Sequence, residues 1–240
     1  MGLDDLREFR RLDDVRPAGA RGTPVVADER TMGAMRRVFG YLFPAEWEPA
    51  APPRSWVATI AWRLLRPRER TSVAITSRDR SGAVAAFDFV ALPVLHGPQY
   101  ECNSFLFRMD APGAGGAPRW LLYMSDVSEL DVAAFAPQLR EAQQQLLSPA
   151  EAAADAAPYQ PLELLVLDMM SWAPYVSHLS VEAALALAAA LGARQTHFTG
   201  LSHTLEYAAM TQELHRRGVG GCMAMGYDGC VIAEAADGGA

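Results

Sequence analysis

Residues 162–170 read LELLVLDMM. Leu164, Leu165, Val166 and Leu167 form an unbroken apolar run that is short for a helix but right for a strand. Such a run suits a buried strand. It stops at Asp168, and the pattern then changes. SVEAALALAAALGA (180–193) is a helix that Ser180 can cap, QTHFTG (195–200) is a strand, and TLEYAAMTQELHRRG (204–218) is again helical. The chain closes on GCMAMGYDGCVIAEA (221–235), read as two short strands around a Tyr227-Asp228-Gly229 turn. Strands and helices in this order imply a layered α/β domain rather than a bundle.

The half before it is built differently. TPVVADERTMGAMRRVFGYLF (23–43) predicts a short strand and then a helix from about Asp28, where Asp28 and Glu29 suit a helix N-terminus. A proline-rich loop, EWEPAAPPR (46–54), leads into strand-like runs at 55–65, 71–76, 83–96, 103–109 and 119–126. Glycine and proline clusters separate these runs, and no helix intervenes, so adjacent pairs are expected to be antiparallel. DVAAFAPQLREAQQQLL (131–147) reads as a helix, and 148–161 as a mobile connector. The whole is expected to be a single domain over 1–240.

Composition narrows the function. The 240 residues are half apolar and one-fifth charged, enough for a sizeable core. All 21 basic residues are arginine, and the net charge is -7 with no basic run, so the footprint for duplex nucleic acid is missing. The N-terminus has no apolar core of a secretory signal, and the alanine-rich run at 181–193 is too short to span a bilayer. Cys102, Cys222 and Cys230 form neither a metal-type pair nor a disulfide framework, which suits a reducing, cytoplasmic setting.

The polar residues of interest lie at strand ends. ALPVLHG runs into His96, RWLLYMSD into Ser125-Asp126, and QTHFTGLSH past Gly200 to His203; Asp168 and His178 extend the pattern. A polar group just past an apolar strand is held at the rim of a sheet, where open-sheet active sites gather. Taken singly, a strand-end histidine is more often a surface residue and Asp126 more often a turn or helix cap. Together, imidazoles and a carboxylate suit zinc, manganese or iron. His197, inside its strand, and His215, beside Arg216 and Arg217, read as filler. The residues alone reach as far as a metal-assisted hydrolase.

The ordered segments GLDDLREF, TPVVADERTMGAMRRVFGYLF, PVLHGPQY, FLF, YMSDVSEL, LVLDMM, SHLSVEAAL, TGLSH and GYDGCVI cover nearly the whole chain. In that order they resemble the metallo-β-lactamase-fold hydrolases, in the branch similar to phosphoribosyl cyclic phosphodiesterases. The resemblance implies an αββα sandwich of two mixed sheets with outer helices and a two-metal centre, zinc or manganese, along one rim. It makes His96 a metal ligand, Asp126 the carboxylate bridging both metals, and His178 a catalytic group that contacts or protonates the substrate phosphate. Members usually carry T-H-x-S-H where this chain has Thr199-Gly200-Leu201-Ser202-His203, so Gly200 takes a ligand's position and His203 is the imidazole left to replace it. Eukaryotic-type relatives carry G-x-[ST]-H here.

In the family, GLDDLR follows directly on an H-x-H-x-D motif that supplies most ligands of the first metal. The chain begins at Met1-Gly2, and its five histidines include no H-x-H pair, so Met1 reads as an internal methionine of a longer frame. The implied function is a metal-dependent phosphodiesterase acting on a small phosphorylated substrate, impaired in this chain for want of that motif. The alternative is a degenerate, non-catalytic member kept for binding. Without the early strands an apolar sheet face would lie open, and a homodimer is one way to cover it.

Overall fold

β6 (Trp120–Met124), β7 (Leu164–Asp168), β8 (Gln195–Thr199) and β9 (Met223–Met225) lie side by side in sequential order, all parallel. Parallel neighbours need long crossovers, and the sequence supplies them as helices α2 (Val132–Leu146) and α3 (Pro149–Ala154), α4 (Val181–Leu191), and α5 (Tyr207–Arg216). The computed structural model describes residues 6, 23–43, 58, 60–76, 84–110, 117–154 and 160–232, in two compact units, Met1–Ala91 and Leu92–Ala240.

The first unit contains β1 (Thr23–Asp28), α1 (Glu29–Val38) and β2 (Ile60–Leu65), with β1 and β2 paired in parallel. Asp28 caps α1, its Oδ1 accepting from Thr31 N at 2.7 Å. Met32, Leu42, Phe43 and Ala58 form a small core on which Leu6 packs, and Phe43 stacks on Trp62 at 4.5 Å. Of the chain's opening stretch only Leu6 is among the described residues. β3 (Arg70–Thr76) forms an antiparallel hairpin with β4 (Val84–Leu95), as expected. β2 is the exception to antiparallel pairing. It joins β1 across α1 instead of its successor, since a helix between two strands favours the parallel crossover.

In the second unit the end of β4 leads into β5 (Glu101–Arg108), which is antiparallel to β6. Trp120, Leu122, Met124, Leu165, Leu167 and Phe198 are fully buried, and Leu139, Val181 and Ala184 cover them from the helices. Ser180 caps α4, and Gly192 ends it in the left-handed region at φ 63°. The expected connector at 148–161 opens with α3, and 155–159 lie outside the described residues. The closing pair of strands does not form within the described residues. β9 adds in parallel to β8, the 227–229 turn follows, and Cys230–Ile232 carry no strand. No helix among the described residues is long and apolar enough to cross a membrane.

Arg108 ties α3 to β5. Its guanidinium, almost wholly buried, donates to both oxygens of Glu151 at 2.8 Å and to Asp110 Oδ2 at 2.6 and 3.1 Å. Arg108→Met leaves both carboxylates without that partner, so a loss of about 2–3 kcal/mol is expected, as for hydrogen bonds to charged groups. The denaturant midpoint measures it; an unchanged midpoint would mean that water replaces the guanidinium without cost.

Candidate metal centre

Because β6, β7 and β8 run the same way, Asp126, Asp168 and Gly200 emerge at one edge of the sheet. His96 joins them at the end of β4. Ser128 holds it there: its backbone N–H and its hydroxyl both donate to Leu95 O, at 2.8 and 3.1 Å, while its Oγ accepts from Gly97 N at 2.9 Å. A bridge between Leu95 and Glu129 closes the same turn. His96 N–H donates to Tyr100 O at 2.8 Å, which fixes the 96–100 loop.

Each imidazole is oriented through Nδ1. The Nδ1 of His96 lies 2.7 Å from the Ser177 carbonyl oxygen, which can only accept, so Nδ1 carries the proton. The atom left to a metal is Nε2, deprotonated and so a competent ligand. The Nδ1 of His178 lies 3.0 Å from Asp168 Oδ2, which also accepts from Leu179 N at 3.3 Å. Asp168 is 2% exposed, and burial pushes its carboxyl above the ordinary range, opposed by the hydrogen bond and charge of His178.

Asp126 is exposed and stands at φ 54°, a left-handed conformation that aspartate tolerates better than most side chains. This backbone turns the residue out of line with β6. Its carbonyl accepts from the Cys102 thiol at 2.8 Å. Burial first, then Asp126 and Asp168, push that thiol up to about 11, so it acts as a donor and not as a thiolate nucleophile.

His96, Asp126 and His178 each offer a ligand atom within 4.8 Å of the other two. Two ligands of one zinc stand at most about 4.2 Å apart, so the group is slightly wider than an ion would draw it. Three protein ligands with one open position is the donor set of a catalytic zinc site, and the residues present fit one divalent ion. His178, read from sequence as a substrate contact, thus stands among the candidate ligands. His203 lies exposed in the turn after β8 and is not in this group.

Gly200 has φ 74°, and a Cβ placed on it would lie 2.5 Å from Asp168 Oδ1. The position where the resemblance puts a histidine is therefore packed against a carboxylate. His215 lies elsewhere, its ring against Gly220. His197 Nδ1 is buried without a hydrogen-bond partner, and burial lowers its pKa. Sequence reading missed Ser177, which acts through a main-chain oxygen that no residue type announces, and Ser128, whose role needs the spatial meeting of two turns.

No family model matches the chain, and no curated protein matches it. Solved structures do. A diphosphatase of the PhnP family superposes with a TM-score of 0.58 at 22% identity, covering 96% of this chain and 64% of that one. The metallo-β-lactamase fold protein YhfI from Bacillus subtilis gives 0.51 at 12% identity, over 93% and 68% of the two chains. An isothiocyanate hydrolase from Delia radicum gut bacteria gives 0.50 at 11% identity, over 89% and 67%. The chain has the metallo-β-lactamase fold, and it spans about two-thirds of the length of these proteins.

Proposed function

We propose that this rim is the metal-dependent centre of a phosphodiester hydrolase, with zinc or manganese as the ion and a small phosphorylated molecule as substrate. The observation that carries this reading is the His96–Asp126–His178 group, with His178 backed by buried Asp168. When bound, a divalent ion supplies Lewis acidity toward phosphoryl oxygens and acidifies water. His96 Nε2 and the Asp126 carboxylate would hold it. His178 would keep a proton on Nε2 for the leaving oxygen, while Asp168 Oδ2 accepts from Nδ1 and stabilises the imidazolium. The Ser177 carbonyl keeps the His96 tautomer fixed throughout.

The same ligand count argues for slow turnover by the 240-residue chain. Among the described residues one such group exists, a two-metal clamp needs more ligands, and the Gly200 position adds none. The test is hydrolysis of bis(4-nitrophenyl) phosphate with added manganese or zinc, beside metal titration by calorimetry. One ion bound per chain is expected, with weak metal-dependent turnover that falls by about 10²–10⁴ in His178→Ala, the usual worth of a positioned proton donor. Metal binding without turnover would favour the non-catalytic binding reading. Absence of metal binding would remove both the centre and the activity.

A further inference from the structure

We propose that the substrate carries a planar aromatic ring, held against Tyr100 or Tyr175, the tyrosines at the two ends of the histidine pair. This rests on the phosphodiesterase reading above and names its substrate class. The rings of His96 and His178 meet edge to face, centroids 4.7 Å apart. Tyr100 stands edge-on to His96 at 6.0 Å, and Tyr175 tilts against His178 at 6.3 Å. Four rings thus follow in the order Tyr100, His96, His178, Tyr175, with the candidate ligands in the middle and a tyrosine at each end.

Both tyrosines are far more exposed than packing would leave them, 58% for Tyr100 and 59% for Tyr175. A single exposed aromatic is ordinary. Two that touch the two imidazoles of one candidate metal group are not explained by scatter, and neither is buried enough to hold the fold. The segment bearing Tyr175 also exposes Trp172 at 49% and Val176 at 76%.

That segment is fixed at both ends. Met170 N donates to Leu179 O at 3.0 Å and Val181 N to Ser171 O at 2.8 Å. Ser171 Oγ donates to Ala173 O at 2.6 Å, and Ser177 O accepts from His96. The ring of Tyr175 is therefore presented by backbone already ordered, which lowers the entropic cost of gripping a ligand. Small-molecule sites combine aromatic walls with a few placed polar groups, and a phosphodiester with an aromatic substituent matches both parts. Its anionic phosphoryl group would lie at the histidines and at an ion held by Asp126, and its ring would reach a tyrosine. Tyr175 takes the leaving-group side, since it lies against the proposed proton donor.

Benzyl(methyl)phosphinate and (cyclohexylmethyl)(methyl)phosphinate test this. They carry the same charge, differ little in size and hold phosphorus through two P–C bonds with no ester to cleave, so binding is read by calorimetry with manganese present and without turnover. The benzyl compound should bind about tenfold more tightly, although cyclohexylmethyl is the more apolar group, because aromatic pairs gain beyond area burial. Tyr100→Ala and Tyr175→Ala should each lower that ratio, the larger drop marking the end the ring takes, and the double variant should remove it; the Tyr→Phe variants should keep it. Equal affinities in the unmodified chain, or a ratio that survives the double alanine variant, would overturn the inference and leave the phosphodiesterase reading standing. No binding of either phosphinate would overturn both.

Discussion

His96→Ala should lower the affinity of the chain for manganese or zinc by more than about 100-fold. Loss of a residue that merely supports a ligand typically costs 10–100-fold, and His96 is a ligand candidate itself, with Nδ1 committed to Ser177 and Nε2 left for the ion. Removing it leaves the Asp126 carboxylate alone to hold the ion, where a catalytic zinc site generally keeps three protein ligands. Asp126→Ala should act in the same direction. Calorimetric titration of each variant, with circular dichroism to show that the fold persists, decides the matter. An affinity within about threefold of the parent would mean that the ion sits elsewhere, well short of what loss of even a supporting residue costs.

The second large effect is expected from the smallest side chain at the rim. Gly200→Ala places a methyl group 2.5 Å from Asp168 Oδ1 and asks alanine to adopt φ 74°. The backbone strain alone is worth roughly 1–2 kcal/mol. More important for function, the Asp168 carboxylate must move, and its other oxygen is the one that orients His178 and accepts from Leu179 N. Phosphodiester turnover should fall by about 10–100-fold, as for loss of a supporting partner. Asp168→Asn should reproduce the loss of turnover without the backbone strain, which separates the two contributions. Gly200→His meets the same carboxylate and should not create a second metal site. A stoichiometry rising from one ion to two in that variant would show that Asp168 yields and that the position remains a ligand position.

The fold was legible where the sequence had a clear period. The run ending at Asp168, the caps at Asp28 and Ser180, and the strand-end placing of His96 and Asp126 follow from local pattern, because burial and capping act within a few residues. Strand partners were less legible. β2 pairs across α1, a choice made by the crossover and not by its own residues. The closing pair was half legible: Met223–Met225 is a strand, but its partner is the parallel β8, which no local turn signal reveals, while Cys230–Ile232 carry no strand and the residues after Ile232 lie outside the described ones.

The site divides in the same way. The residue types His96, Asp126 and His178 are visible as polar groups after apolar runs, but their convergence is a property of three parallel strands and two loops. The contact between Gly200 and Asp168 was out of reach for a different reason. They lie on separate strands, and a glycine shows in sequence only that a side chain is missing, not what has moved into its place.

The two imidazoles are oriented by partners of different kinds, and this bears on how the centre can change over generations. The partner of His96 is the main-chain oxygen of Ser177, which every amino acid carries, so codon 177 can drift without releasing that ring. The partner of His178 is the side chain of Asp168, which a single base change can delete. One half of the centre is thus buffered against mutation while the other is exposed to it. A lineage that stops needing turnover should lose its mark at codon 168 long before codon 177 records anything.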